Sequence, residues 1–161
     1  MQWNANWIAP SRPCGRVCPI YRKTLRIEKP LTSARLYITA AGIYEARLEG
    51  QRIADQVLAP GWTSYRTRLQ YQCYELREFF AHSGEKTLTV TVGAGWMRTN
   101  MAPWSEASRE AWKKPGAIIA ELHLDYADGS HAAILTDESW EVSESALRFC
   151  DLYDGVIYDA S

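Results

Sequence analysis

The sequence predicts an all-β fold, an antiparallel two-sheet β-sandwich of jelly-roll type, on three observations. Apolar residues recur with a period of two, turn residues separate the alternating stretches, and helical periodicity is nearly missing. Side chains alternate faces along a strand, so this pattern marks antiparallel strands with one face buried and the other wet. Roughly eight such strands with little helix fit two packed sheets.

Along the chain, Tyr21-Arg22-Lys23 falls on the first strand. Ala34, Leu36, Ile38 and Ala40 then form one face against Arg35, Tyr37 and Thr39. Tyr44–Leu48 runs into Glu49-Gly50-Gln51-Arg52, which reads as a hairpin returning at Ile53. In Leu58-Ala-Pro-Gly-Trp-Thr, Pro60 fixes φ and Gly61 supplies a positive φ. That turn leaves Trp62 and Tyr65 to cap one end of the sandwich. Leu76 to Ala81 gives a helical turn or two. Lys86 to Val92 places Leu88, Val90 and Val92 inward.

Gly93 to Gly116 is long and irregular, and carries Trp96, Asn100, Trp104 and Trp112; such a loop is functional or packed against something. Ile118, Ala120, Leu122, Leu124 and Tyr126 next alternate with Ile119, Glu121, His123 and Asp125 on a wet face. The Ala127-Asp128-Gly129-Ser130 turn leads to His131–Leu135.

At 161 residues, 47% apolar and 23% charged, the chain suits one folded domain, residues 1–161. A net charge of −1 offers no basic surface for nucleic acid, and no cationic amphipathic stretch suits a membrane. The longest apolar runs are strand-sized. Cys14 and Cys18 lack a second closely spaced pair, so with Cys73 and Cys150 they read as free thiols. No signal peptide opens the chain, and with unpaired cysteines this leads us to expect a cytoplasmic rather than a secreted protein.

The segment from Ser33 to Tyr65 closely resembles the N-terminal domain of bacterial α-L-rhamnosidases. The resemblance rests on Gly42 to Glu45 in a hairpin, Gly50 in its turn, and the Leu58 to Thr63 loop. It continues through Leu69 to Tyr74 and Val92-Gly-Ala-Gly-Trp96. Trp7-Ile8-Ala9 near the start, and Leu152-Tyr153-Asp154-Gly155 with Tyr158-Asp159-Ala160 near the end, extend it over nearly the whole chain. It implies a galactose-binding-domain-like sandwich, a fragment of a larger multidomain enzyme that hydrolyses terminal α-L-rhamnose. The catalytic (α/α)-barrel of that parent is expected elsewhere.

Glycosidic hydrolysis needs two carboxylates flanking the anomeric carbon. Asp125, Asp128, Glu138 and Glu141 read as solvated strand-edge or turn residues, Asp154 and Asp159 as turn-forming, and His82, His123 and His131 as exposed. No catalytic residue is assigned. Two roles stay open. In a calcium-dependent, L-rhamnose-binding module, Asp55 and Asn100 would offer oxygens to the cation, and Trp62, Trp96 and Trp104 an apolar platform with Asn100 beside it. In a scaffold, the Trp-rich loop would pack on the catalytic domain of the same parent chain. Trp96, Trp104 and Trp112 ringed around a pocket favour the sugar; spread on a flat face they favour the partner.

Overall fold

The computed structural model describes residues 2–12, 16–65, 67–82, 84–99 and 114–161. In chain order its strands are β1 (Pro19–Ile27), β2 (Leu31–Ala40), β3 (Ile43–Leu48), β4 (Gln51–Arg52) and β5 (Gln72–Glu75). A single 3-10 turn at Arg77–Phe80 precedes β6 (Gly84–Gly93), β7 (Ile118–Tyr126), β8 (His131–Leu135), β9 (Glu141–Glu144), β10 (Leu147–Asp151) and β11 (Gly155–Tyr158). Two layers result. One is five-stranded, in the order β4-β3-β6-β1-β9, and the other four-stranded, in the order β5-β2-β7-β8. All pairings are antiparallel, and β10 and β11 form a separate two-stranded sheet.

The core follows the period-two pattern. Ala34, Leu36, Ile38 and Ala40 of β2, and Ile118, Ala120, Leu122 and Leu124 of β7, are buried. They meet Tyr21 and Leu25 of β1, Ala46 and Leu48 of β3, and Leu88, Val90 and Val92 of β6 in one cluster. Each fully buried Leu or Ile contributes about 1.5–3 kcal/mol. Tyr21, itself in the core, donates its hydroxyl to the Gly116 carbonyl at 2.6 Å. That bond satisfies a polar group the burial would otherwise orphan.

Turn geometry matches the turn residues. Glu49 (φ 52) and Gly50 (φ 76) are the two left-handed residues of the β3–β4 hairpin, which makes the loop shorter than the four residues expected. Gly61 takes φ 98 after a cis Ala59–Pro60 bond. Gly42 (φ 146) is forced by close packing, since a Cβ there would lie 2.2 Å from the Gly93 carbonyl oxygen.

Three expectations change. The β7 face assigned to water is covered at its start: Ile119 is 3% and Glu121 1% exposed. The cause at Glu121 is the amino-terminal strap, residues 2–10, which lies along this sheet. Asn6 N donates to the Thr136 carbonyl at 3.1 Å, and Ile8 pairs with Ile118. Trp62 does not cap the sandwich; it is 73% exposed. Strand count also rises to eleven among the described residues, because β4, β9, β10 and β11 are too short or too irregular to show alternation.

Candidate functional site

An open groove of about 260 Å³ forms where β3, the 53–61 loop and β10 converge. Local geometry builds it. The left-handed hairpin turn sends β4 back along β3. Leu58, at φ 56, then brings Ala59 against β3, where its carbonyl accepts from Tyr44 N at 2.8 Å. The far wall is Leu147 and Cys150 of β10. At its floor Gly93 must be glycine, because a Cβ would meet the Cys150 sulfur at 2.9 Å.

One side of the groove is polar and already paired. Glu45 lies between two guanidinium groups, Arg47 Nε at 2.7 Å and Arg52 Nε at 3.1 Å. Arg52 also donates to the Gln56 carbonyl at 3.3 Å. Behind them the Tyr44 hydroxyl contacts Gln72 Oε1 at 2.9 Å and the Tyr74 hydroxyl at 3.1 Å. Burial, reinforced by the bond to Tyr74, pushes the Tyr44 phenol far above its usual range, so it stays neutral. The other side is apolar and exposed, with Val57 at 66% and Leu58 at 42%.

The thiols Cys18 and Cys150 meet beside this groove. A hydrogen bond to Cys150 and burial push the Cys18 thiol up, whereas the same bond brings Cys150 down to about 7. The contact thus favours the thiolate on Cys150 over that on Cys18. With Cys73, both are free, as expected; Cys14 lies outside the described residues.

A second polar cluster sits on the strap-covered sheet. Glu121 accepts hydrogen bonds from the backbone N–H of Asn4 and of Ala5, the latter at 2.9 Å, and its Oε2 lies 2.8 Å from His123 Nε2. Burial acts to raise the Glu121 carboxyl, but His123, Ala5 and Asn4 outweigh it and hold it below its ordinary value. Around it, His123 meets Tyr37 edge-on at 5.4 Å, and Tyr71 packs against both Tyr37 and Trp3. Alternation gave no signal for this carboxylate, because it reports polarity and not what lies above the sheet. Of the other carboxylates expected to be solvated, Glu138 and Glu141 are exposed, while at the surface Asp125 contacts His131 Nδ1 at 2.7 Å and Asp128 pairs with Lys29 at 2.8 Å.

Of the sequence-predicted site residues, Trp62, Trp96 and Asp55 fall among the described residues. Trp62 stands in solvent after the Pro60-Gly61 turn, with its carbonyl 3.4 Å from Gln70 Nε2. Trp96 is half-buried in the turn after β6, and neither Trp lines the groove. Asp55 is exposed on the 53–61 loop. Asn100, Trp104 and Trp112 lie outside the described residues, so the expected meeting of Asp55 with Asn100 does too. Among the described residues, no three His, Cys, Asp or Glu side chains come together to hold a metal ion. Nor is any helix there long and apolar enough to cross a membrane.

The chemistry the groove offers is limited. It presents a single carboxylate, Glu45, neutralised by two arginines, where a glycosidase needs two carboxyl groups about 5–9.5 Å apart.

Known proteins resemble this chain throughout its length. The family profile described as the alpha-L-rhamnosidase N-terminal domain matches residues 29–161. An alpha-L-rhamnosidase of Streptomyces avermitilis is 36% identical over 155 residues, covering 92% of this chain and 15% of the relative. One from Formosa agariphila is 31% identical over 169 residues, covering 98% and 18%. The native Aspergillus terreus α-L-rhamnosidase superposes with a TM-score of 0.88 at 34% identity, over 98% of this chain and 18% of that one. The Streptomyces avermitilis enzyme complexed with L-rhamnose gives a TM-score of 0.80 at 34% identity, over 89% and 14%. A Pleurotus ostreatus lectin in complex with GalNAc shares only the fold, with a TM-score of 0.59 at 21% identity over 88% of this chain and 35% of that one. The chain thus spans less than a fifth of the length of these rhamnosidases.

Proposed function

Because this chain belongs to the alpha-L-rhamnosidase N-terminal domain family, we propose that it is a non-catalytic accessory domain of an enzyme that removes terminal α-L-rhamnose from glycans or glycosides. The observation that carries this reading is the chemistry of the groove between β3 and β10. Glu45 is its one carboxylate, clamped by Arg47 and Arg52, with no second carboxyl group to act as acid, base or nucleophile. The sandwich serves as a scaffold, packing against the catalytic domain of the same parent chain and shaping its position.

The test is hydrolysis of a chromogenic aryl α-L-rhamnoside by the purified chain and by the full-length enzyme. The scaffold role expects turnover by the full-length enzyme alone. Turnover by the chain that disappears in Glu45→Gln would sink it.

A further inference from the structure

The β10–β11 hairpin stands apart from both sandwich sheets, and its outer strand is left bare. All four residues of β11 are exposed, with Val156 at 60%, Ile157 at 59% and Tyr158 at 66%. Successive strand residues point to opposite faces, so β11 is uncovered on both faces at once. Its outer edge pairs with no strand among the described residues. Tyr153 in the hairpin turn is 76% exposed as well. A two-stranded ribbon with apolar side chains on both faces and an open edge is marginal in water, and invites a partner.

This surface continues into the groove. Cys150 pairs in register with Val156, and Leu147 with Tyr158. Leu147 and Cys150 face Val57 and Leu58 across the groove. The result is one apolar strip running from the 53–61 loop over β10 to β11. Its charged border is paired within the domain, Arg148 with Glu144 at 3.0 Å and Arg16 with Asp154 at 3.6 Å. An apolar centre inside a polar rim that needs no outside charge has the anatomy of a protein interface, not of a nucleic-acid or sugar site.

We propose that this strip is the docking surface for the part of the rhamnosidase polypeptide that follows residue 161, which covers β11 and the groove. The inference rests on the accessory reading above and adds the face that is used. Two features favour this occupant. Rhamnosidase relatives carry more than four-fifths of their length outside the matched region. And chain continuing beyond β11, the last strand described, would emerge beside the strip and be held there at high effective concentration.

Hydrogen exchange on the full-length enzyme tests this. The amides of Val156, Ile157 and Tyr158 are expected to exchange at least about tenfold more slowly than in the 161-residue chain. Should the short chain not fold, the same amides in the full-length enzyme are compared with those of the exposed Ala127–Gly129 turn, and must be the slower. Ile157→Lys in the full-length enzyme is expected to abolish that protection and lower its melting temperature, with Ile157→Val leaving both unchanged. Fast exchange at β11 in the full-length enzyme, or a silent Ile157→Lys, overturns the docking surface and leaves the accessory reading standing, since that is judged by turnover alone. Concentration-dependent dimers of the 161-residue chain that protect β11 also overturn it, by assigning the strip to a second copy.

Discussion

Glu121 is the side chain whose removal has the most specific consequence. It ties the amino-terminal strap to β7 through the N–H groups of Asn4 and Ala5, and contacts His123 on the same strand. Hydrogen bonds to a charged acceptor contribute about 1.5–3 kcal/mol each. Asn4 is exposed and the His123 side chain is 42% exposed, so solvent weakens two of the three. We take about 3 kcal/mol for Glu121→Ala and about half that for Glu121→Gln, which keeps a neutral acceptor. At about 1.4 kcal/mol per decade, the alanine variant should loosen the strap roughly 100-fold. The reporters are Asn6 N, bonded to the Thr136 carbonyl, and Ile8 N, bonded to that of Ile118. Their hydrogen exchange, corrected for intrinsic rates, reads the strap directly. The pH dependence has a definite sign. The Glu121 carboxyl is lowered in the folded state, so its contribution is complete above the unfolded carboxylate value of about 4.3 and is lost as pH falls through the folded value. Glu121→Gln should abolish that acid slope. Unchanged exchange at Asn6 and Ile8 in the alanine variant would refute the tie, and an acid slope surviving in the glutamine variant would refute its titration.

Three further outcomes are expected. Gly42→Ala, with its Cβ 2.2 Å from the Gly93 oxygen, should cost about 3 kcal/mol or more, whereas Gly50→Ala, at φ 76 with open space around it, should cost only about 1 kcal/mol. At about 2–4 °C per kcal/mol for a domain of this size, melting curves separate the two, and equal shifts would contradict the packing described. Alkylation of Cys150 should rise with pH around 7 and shift to higher pH in Cys18→Ala, which lacks the donating thiol; mass spectrometry of the labelled peptide decides, and an unmoved midpoint refutes the pairing. Titration of tryptophan fluorescence with L-rhamnose, in calcium and in EDTA, should give no saturable change on the scaffold role. A calcium-dependent response lost in Asp55→Ala or Trp62→Ala would instead establish a sugar-binding module.

The sandwich was legible because β2, β6 and β7 each carry three or four alternating buried positions over a single continuous core, and period-two burial is a direct consequence of strand geometry. The groove was not. Its walls join β3 and the neighbouring 53–61 loop to β10, far along the chain, and its floor depends on Gly93 being small enough for the Cys150 sulfur. Trp62 misled for a related reason. A large aromatic after a Pro-Gly turn has the composition of a cap, but whether it turns inward depends on the tertiary surroundings of the loop, whose Trp62 and Pro60 carbonyls here accept from Gln70 and Gln72. The Cys18–Cys150 contact likewise joins the entry to β1 with β10, a separation no spacing rule reaches.

The amino-terminal strap and the β10–β11 hairpin are held in different ways. At the amino-terminal side the strap is closed: Glu121 and Thr136 take up its backbone groups, Ile8 pairs with Ile118, and Trp3 packs on Tyr71. At the carboxy-terminal side the polar groups are equally well satisfied, with Asp151 accepting from Tyr153 N and Asp154 N in the hairpin turn. The apolar groups there are not, for Tyr153, Val156, Ile157 and Tyr158 all stand in water. Unfavourable exposure of about this size is tolerated in a folded protein when another surface removes it. With these apolar side chains exposed, β11 offers the surface that the proposed docking needs, and the hydrogen-exchange comparison at Val156, Ile157 and Tyr158 decides whether it is covered.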